Sequence, residues 1–168
     1  MDVTRSQPAR HRTNVRRASD RELVVTRLFD APPRIIFQAW TKAELFSRWW
    51  APKSMGTPLL SCEIDARTGG GYRLVFGQDP SNAFAFFGKY VEVVPDARLV
   101  WTNEESANGP VTTVTFEQQG EGTLLTYHEL YPTTEALEEA LVGMDEVMPE
   151  QFEQLDALLG DLDAAAGA

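Results

Sequence analysis

The adjacent residues His128 and Glu129 are the most suggestive chemical feature of a sequence that has few of them. Histidine and carboxylate side chains often transfer protons near neutral pH, so the pair is a weak candidate for acid–base catalysis. Both residues lie in a segment with strand character, and neighbours on a strand point to opposite faces. We therefore expect at most one of them to face an interior site, unless a bulge intervenes. The alternative is a surface or hydrogen-bonded histidine with no catalytic role.

The remaining chemical motifs are weaker. Cys62 is the single cysteine, so no intramolecular disulfide can form, and its place on the apolar side of an alternating segment predicts an unreactive thiol. Neither Cys-x-x-Cys nor His-Glu-x-x-His occurs, and we predict no metal site. The Gly69-Gly70-Gly71 run is followed by strand-like residues and no Gly-Lys-Ser/Thr, which disfavours a phosphate loop. We predict no cofactor.

A long apolar stripe between Val147 and Leu162 predicts the helix around which the rest of the chain is organised. Its large apolar residues recur at steps of four, three, four and three, which places them on one helical face. They are Met148, Phe152, Leu155, Leu159 and Leu162. One isolated helix of this length is unstable in water, so other elements must cover the stripe.

The chain before this helix is mainly strand-like. Glycine, proline and asparagine turn signals separate seven segments rich in β-branched and aromatic residues, and their short links favour antiparallel pairing. The segments are Leu23–Phe29, Leu59–Asp65, Tyr72–Phe76, Phe84–Val94, Arg98–Thr102, Val111–Glu117 and Thr123–Tyr131. Two short helices follow the first strand, and another at Glu135–Val142 precedes the long helix. The predicted fold is α+β, in the order β-α-α-β-β-β-β-β-β-α, with a curved seven-stranded antiparallel sheet around the long helix.

Composition indicates one domain with a basic amino-terminal tail. The 168 residues carry a formal net charge of −10, yet residues 1–21 contain six arginines. We expect residues 1–20 to be a disordered tail, residues 21–163 a single domain and residues 164–168 a flexible end. The acidic body disfavours nucleic acid as the main partner. Without a long apolar segment, we expect no membrane partner and a cytoplasmic monomer or homodimer.

Several short motifs, taken in order, resemble a known family. From about Leu23 to Leu162 the chain resembles the Aha-type branch of the SRPBCC, or START-like, superfamily, named for an activator of a heat-shock chaperone's ATPase. It departs at Met144, where relatives usually have tryptophan after glycine, and at Thr68, where proline is usual. The matching motifs are Ala31-Pro32-Pro33, Trp40-Thr41, Trp49-Trp50 with Pro52, and the segments 65–70, 88–95, 98–100, 114–117 and 122–126.

The resemblance implies the helix-grip fold shared by START domains and birch-pollen allergens. Superfamily members bind lipids, polyketides and plant hormones, a few catalyse cyclisation or dehydration, and many bacterial members have no assigned role. The branch also implies a cytoplasmic bacterial protein with a connection to the stress response. Fold-level analogy does not choose among these functions.

The abundance of aromatic residues favours a small apolar or aromatic ligand, bound between the sheet and the last helix. The predicted ligand-binding residues are Trp50, Phe76, Phe86, Trp101, Tyr127, Met148 and Phe152, with His128 as a polar anchor. One alternative is a cyclase, dehydratase or hydrolase of a bulky apolar substrate that uses His128 or Glu129. Another, from the resemblance, is a module that interacts with a chaperone ATPase.

Overall fold

A computed structural model describes residues 13–142 and 144–167 of the chain. These residues form eight β-strands and four α-helices, with single turns of 3-10 helix at Lys53–Met55 and Pro80–Asn82. The strands are β1 (Asn14–Arg17), β2 (Glu22–Phe29), β3 (Leu59–Ile64), β4 (Gly71–Phe76), β5 (Phe84–Val94), β6 (Arg98–Thr102), β7 (Val111–Gln119) and β8 (Gly122–Leu130). The helices are α1 (Pro33–Thr41), α2 (Ala43–Phe46), α3 (Thr134–Leu141) and α4 (Met144–Gly167).

All eight strands belong to one antiparallel sheet with the order β1-β2-β8-β7-β6-β5-β4-β3. The sheet and the long final helix confirm the predicted α+β helix-grip class. The first long strand, β2, pairs with the last strand, β8, so the central part of the sheet joins distant parts of the chain. The connection between β2 and β3 carries α1 and α2.

The sheet has one strand more than the seven expected. The additional strand, Asn14–Arg17, lies within the segment assigned to a disordered tail, and it pairs with residues 23–26 of β2. An edge strand is held by backbone hydrogen bonds, so its arginine side chains remain at the surface and no apolar pattern is needed. The rest of the expected tail, residues 1–12, lies outside the described residues.

Helix α4 is longer than its apolar stripe. The stripe predicted a helix from Val147 to Leu162, whereas the helical backbone runs from Met144 to Gly167. It therefore continues through most of the segment that was expected to be flexible. No helix in the described part of the chain is both long enough and apolar enough to cross a lipid bilayer.

The predicted apolar face of α4 packs into the main core. Met148, Phe152, Leu155 and Leu159 are all buried. The Phe152 ring makes edge-to-face contact with Phe29 of β2, at a centroid distance of 5.8 Å. Because β2 lies beside β8, this contact joins α4 to the central part of the sheet.

The short helices α1 and α2 bring a tryptophan cluster against the same core. Trp40 and Trp49 are almost fully buried, and their ring centroids are 4.7 Å apart. The indole Nε1 of Trp49 donates a hydrogen bond to the carbonyl oxygen of Ala39 at 2.9 Å, which satisfies its buried polar group. Trp40 lines the space enclosed between sheet and helix, and Trp49 packs against Trp40.

Candidate functional site

A cavity of about 570 Å³ lies between the inner face of the sheet and the helices α3 and α4. Most of its wall is aromatic or aliphatic, and exposed residues such as Met55 and Phe84 mark its opening to solvent. Six of the side chains predicted to bind a ligand line this cavity: Trp50, Phe76, Phe86, Trp101, Tyr127 and Met148.

The other two predicted ligand-binding residues lie elsewhere. Phe152 is completely buried between Phe29 and Trp40 and is not part of the cavity wall. The His128 side chain lies on the opposite face of β8, where its Nε2 is 2.8 Å from Oε2 of Glu22. This hydrogen bond lowers the pKa of Glu22. The histidine expected to be a polar anchor therefore forms a hydrogen bond on the outer face of the sheet, because strand alternation directs its neighbour inward.

Glu129 is the polar group that the sheet directs into the cavity. Its side chain is only 5% exposed, and three hydroxyl groups donate hydrogen bonds to it. Tyr127 Oη and Thr112 Oγ1 donate to Oε2 at 2.7 and 3.0 Å, and Tyr131 Oη donates to Oε1 at 2.6 Å. Burial raises the pKa of Glu129, because a carboxylate loses hydration there, while the three hydroxyl donors oppose the shift.

A second layer of hydrogen bonds extends this network across the sheet. Asn103 Nδ2 donates to Thr112 Oγ1 at 3.0 Å and to the carbonyl oxygen of Pro110 at 2.8 Å. Because the Thr112 hydroxyl accepts from Asn103, its own proton is available for Glu129. Tyr72 Oη donates to the carbonyl oxygen of Thr102 at 2.7 Å and lies 3.2 Å from Asn103 Oδ1. The carboxyl group is thus held by Thr112 of β7, by Tyr127 of β8 and by Tyr131, the residue that follows β8.

The phenols around this network keep their protons at neutral pH. Burial is the main cause that raises the pKa of Tyr72, Tyr127 and Tyr131 above the ordinary tyrosine value. The carboxyl group of Glu129 adds to the shift, because a phenolate beside a carboxylate would be repelled. These tyrosines therefore serve as neutral hydrogen-bonding groups.

Gly88 gives Tyr72 the room it needs to reach Thr102. The glycine lies opposite Tyr72 in the pairing of β4 with β5. A Cβ atom at this position would come within 1.9 Å of the Thr102 carbonyl oxygen and 3.0 Å of the Tyr72 hydroxyl. Any other residue would press against the hydrogen bond between Tyr72 and the neighbouring strand.

Polar side chains of α4 hold the connection that carries part of the cavity wall. Gln151 Nε2 donates to the carbonyl oxygen of Trp50 at 2.6 Å, and Gln154 Nε2 donates to that of Trp49 at 2.8 Å. Gln154 Oε1 also accepts a hydrogen bond from the Lys53 backbone N–H at 2.9 Å. The helix therefore fixes the connection between α2 and β3 through backbone contacts.

Neither a metal centre nor a reactive thiol is evident in this part of the molecule. Among the described residues, no group of three or more His, Cys, Asp or Glu side chains is placed to hold a metal ion. Cys62 is half-buried on the inner side of β3 and packs against the core. Burial raises the pKa of its thiol to about 11, which keeps the thiol protonated at neutral pH.

The sequence-based prediction missed Thr112, Asn103 and Tyr131. Tyr131 could have been predicted, because positions 127, 129 and 131 alternate along the predicted strand Thr123–Tyr131 and therefore share one face. Thr112 and Asn103 reach Glu129 only through the pairing of β7 with β8 and the loop after β6. No local pattern marks those two residues.

An antiparallel sheet that wraps a long carboxyl-terminal helix and leaves a cavity between them defines a START-like helix-grip protein. Residues 30–160 match the family described as "Activator of Hsp90 ATPase homolog 1-like protein". The chain belongs to this family, which is the Aha-type branch that its motifs resemble.

Solved structures show the same fold. A Rhodobacter sphaeroides protein is 25% identical, with a TM-score of 0.81 over 89% of this chain and 99% of its own. A Mycobacterium smegmatis protein is also 25% identical, with a TM-score of 0.76 over 88% of this chain and 96% of its own. An AHSA1-like protein from Aeromonas hydrophila is 18% identical, with a TM-score of 0.65 over 80% of this chain and 92% of its own. No curated protein matches this chain in sequence.

Proposed function

We propose that this protein binds a small apolar or aromatic molecule in the cavity between the sheet and α4. The observation that carries the proposal is the aromatic cavity of about 570 Å³ with one buried carboxyl group in its wall. Ligand pockets typically enclose roughly 300–1,000 Å³ and combine apolar walls with a few polar groups that orient the ligand. This cavity has both properties.

The buried indole of Trp40 supports the same proposal. Trp40 lines the cavity, and its Nε1 has no hydrogen-bond partner among the described residues. A buried N–H without an acceptor costs roughly 1–3 kcal/mol. A bound molecule that presents an acceptor atom or an aromatic face to this N–H would offset part of that cost.

Fluorescence titration with N-phenyl-1-naphthylamine, a neutral aromatic probe, tests the proposal. We expect saturable enhancement with the natural protein. Ala140 lines the cavity from α3, so Ala140→Trp should fill part of it and weaken binding about tenfold or more. Ala157 is exposed on α4, so Ala157→Trp is the matched control and should bind like the natural protein. Equal binding by the two variants, or no enhancement, would contradict the proposal.

An enzyme acting on a bulky apolar substrate is the second candidate, and the raised pKa of Glu129 favours it. A carboxyl group that titrates closer to neutral pH is better suited to acid–base catalysis than a solvated one. Native mass spectrometry of the purified protein would identify a bound molecule to use as a trial substrate. For this candidate, Glu129→Gln should abolish turnover and leave binding measurable, whereas His128→Ala should leave turnover unchanged. If neither variant alters turnover, Glu129 is not the catalytic group.

A third candidate, interaction with a chaperone ATPase in the stress response, rests on the family's description. It would place the protein in the cytoplasm, as a monomer or homodimer. An ATPase assay with the Hsp90-type chaperone of the host organism tests it directly. Stimulation by the natural protein would support the candidate, and an unchanged rate at stoichiometric excess would eliminate it.

A further inference from the structure

The cavity has a strongly one-sided charge. Of the described residues that line it, three are glutamates, Glu105, Glu129 and Glu139, and none is lysine, arginine or histidine. Glu129 is the most deeply buried of the three, and Glu139 is exposed. A ligand carboxylate would meet like charge there with no cation to pair with, which is costly in a poorly hydrated site.

The hydrogen bonds around Glu129 leave acceptors, rather than donors, for a ligand. Tyr127 and Tyr131 each use their single phenolic proton on the Glu129 carboxylate, and Thr112 uses its hydroxyl proton in the same way. The phenolic oxygens retain lone pairs, and Glu129 Oε1 accepts one protein hydrogen bond whereas Oε2 accepts two. The polar end of the cavity therefore suits a ligand group that carries several donors.

Aromatic rings surround this acceptor-rich end. The Tyr127 ring centroid lies 6.2 Å from that of Trp40 and 6.4 Å from that of Trp101, and all three residues line the cavity. The faces of tryptophan and tyrosine rings carry negative electrostatic potential and attract cations within about 6 Å. Rings and carboxylates together form an environment suited to an ammonium group on an apolar skeleton.

We propose that the ligand of this cavity is a hydrophobic amine, whose ammonium group donates N–H hydrogen bonds to Glu129 and the neighbouring tyrosine oxygens. This inference rests on the proposed binding function and adds the chemical class of the ligand. Its apolar part occupies the aromatic portion of the cavity toward Phe76 and Phe86. A bound ammonium group would also stabilise the ionised form of Glu129, which burial destabilises.

Isothermal titration calorimetry with three probes of one naphthalene skeleton tests the inference near neutral pH. The probes are 2-(1-naphthyl)ethylamine, 2-(1-naphthyl)ethanol and 1-naphthylacetic acid, which are cationic, neutral and anionic. We expect the amine to bind about tenfold more tightly than the alcohol and about a hundredfold more tightly than the acid, because only the amine pairs with a buried carboxylate. The inference is overturned if the amine does not bind, or binds no more tightly than the alcohol or the acid.

Two variants test whether the preference for the amine over the alcohol depends on the charge of Glu129. Glu129→Gln keeps the side-chain size and removes the charge, so amine affinity should fall about tenfold or more and alcohol affinity less than about threefold. Glu117 is exposed on β7 and outside the cavity, so Glu117→Gln should change neither affinity. If folded Glu129→Gln protein still preferred the amine to the alcohol as strongly as the natural protein does, Glu129 would not be the source of the preference. If that variant does not fold, the ranking of the three probes by the natural protein still decides the inference.

The outcomes separate this inference from the proposed function on which it rests. If the three naphthyl probes bind with equal affinity, or if only N-phenyl-1-naphthylamine binds, the cavity binds apolar molecules and the amine preference is wrong. If all four probes fail to bind, both are wrong. In the remaining outcome the natural protein binds the amine tightly, with binding weakened in Ala140→Trp and unchanged in Ala157→Trp. That result would support both the proposed function and the preference for an amine.

Discussion

Tyr131 Oη lies 2.6 Å from Glu129 Oε1 and donates a hydrogen bond to it, although the two residues are separated by a single position in the chain. Alternate residues of a strand share one face, so Tyr127, Glu129 and Tyr131 all point toward the helices. Strand β8 thus supplies the buried carboxyl group and the donor Tyr127, and the residue that follows it, Tyr131, is a second of the three donors. A polar centre of this kind is sensitive to the loss of one donor, since the remaining groups stay buried.

Tyr131→Phe removes the donor to Oε1 and leaves the rest of the ring in place. We expect the free energy of unfolding to fall by roughly 1–3 kcal/mol, the cost of a buried acceptor without its partner. The pKa of Glu129 should rise further, because the hydrogen bond from Tyr131 lowers it in the natural protein. Denaturant titration measures the change in stability.

Tyr90→Phe is the matched control for that substitution. Tyr90 is also a buried tyrosine of the cavity wall, and its hydroxyl makes no side-chain hydrogen bond in the described part of the structure. Its loss should change the unfolding free energy by less than about 0.5 kcal/mol. If Tyr90→Phe were as damaging as Tyr131→Phe, hydrogen bonding to Glu129 would not explain the effect.

The pH dependence of stability should differ between the natural protein and Glu129→Gln. The pKa of Glu129 is raised in the folded state, so the folded protein keeps this proton above the ordinary glutamate pKa of about 4.3, where the unfolded chain has lost it. The stabilisation that the bound proton gives the folded state is complete below the pKa of the unfolded chain. It is lost as the pH rises through the raised pKa of the folded state. We expect the natural protein to lose stability relative to Glu129→Gln as the pH rises above about 4.3, the pKa of glutamate in the unfolded chain. Denaturant titrations in which the difference stays constant as the pH rises would contradict the raised pKa.

Local patterns were sufficient to predict the buried face of α4. Steps of three and four placed Met148, Phe152, Leu155 and Leu159 on the buried side of α4. Period-two alternation likewise indicated that only one residue of the 128–129 pair could face inward. The choice of Glu129 over His128 depends on the register of β8 with β2, which places His128 opposite Val24 and near Glu22.

Contacts between distant segments could not be predicted in the same way. The Asn103–Thr112–Glu129 chain of hydrogen bonds requires the registers of three strands, and Asn and Thr carry no apolar periodicity. The strand Asn14–Arg17 was missed for a related reason. Its pairing depends on backbone groups, and Val15, which is partly buried against the core, is the only apolar residue among its four positions.

Gly88→Ala should destabilise the sheet at the cavity. The added Cβ would be 1.9 Å from the Thr102 carbonyl oxygen, a backbone atom that cannot move without shifting β6. Overpacking of this kind costs roughly 1–3 kcal/mol or more, and it should also weaken the Tyr72–Thr102 hydrogen bond. Gly120→Ala is a less suitable control, because φ is +61° at that residue and an alanine would be strained there. Ala107 is exposed, so Ala107→Gly is the better control. Thermal denaturation should show a clear loss for Gly88→Ala and a small one for the control, and equal losses would contradict the steric argument.

Cys62 should react slowly with iodoacetamide. With a pKa of about 11, about one thiol in a thousand is ionised near pH 8, against about one in four for an unperturbed cysteine. We expect alkylation about two orders of magnitude slower than that of an unperturbed cysteine in a peptide, with the rate rising about tenfold per pH unit. Mass spectrometry follows the reaction, and urea-unfolded protein should react at the rate of the free thiol. Rapid alkylation of the folded protein would show that the thiol is not protected by burial.

Phe152→Ala measures how far stability depends on the contact between α4 and the sheet. Phe152 is fully buried, packs edge-to-face on Phe29 and Trp40, and does not line the cavity, so its removal leaves a new void. We expect a loss of roughly 3–5 kcal/mol in unfolding free energy, together with probe affinity near that of the natural protein wherever the variant stays folded. Glu153 is the next residue and is exposed, so Glu153→Ala should stay within roughly 0.5 kcal/mol. Denaturant titration of both variants checks the prediction, and greater damage from Glu153→Ala would mean that the buried face of α4 is assigned incorrectly.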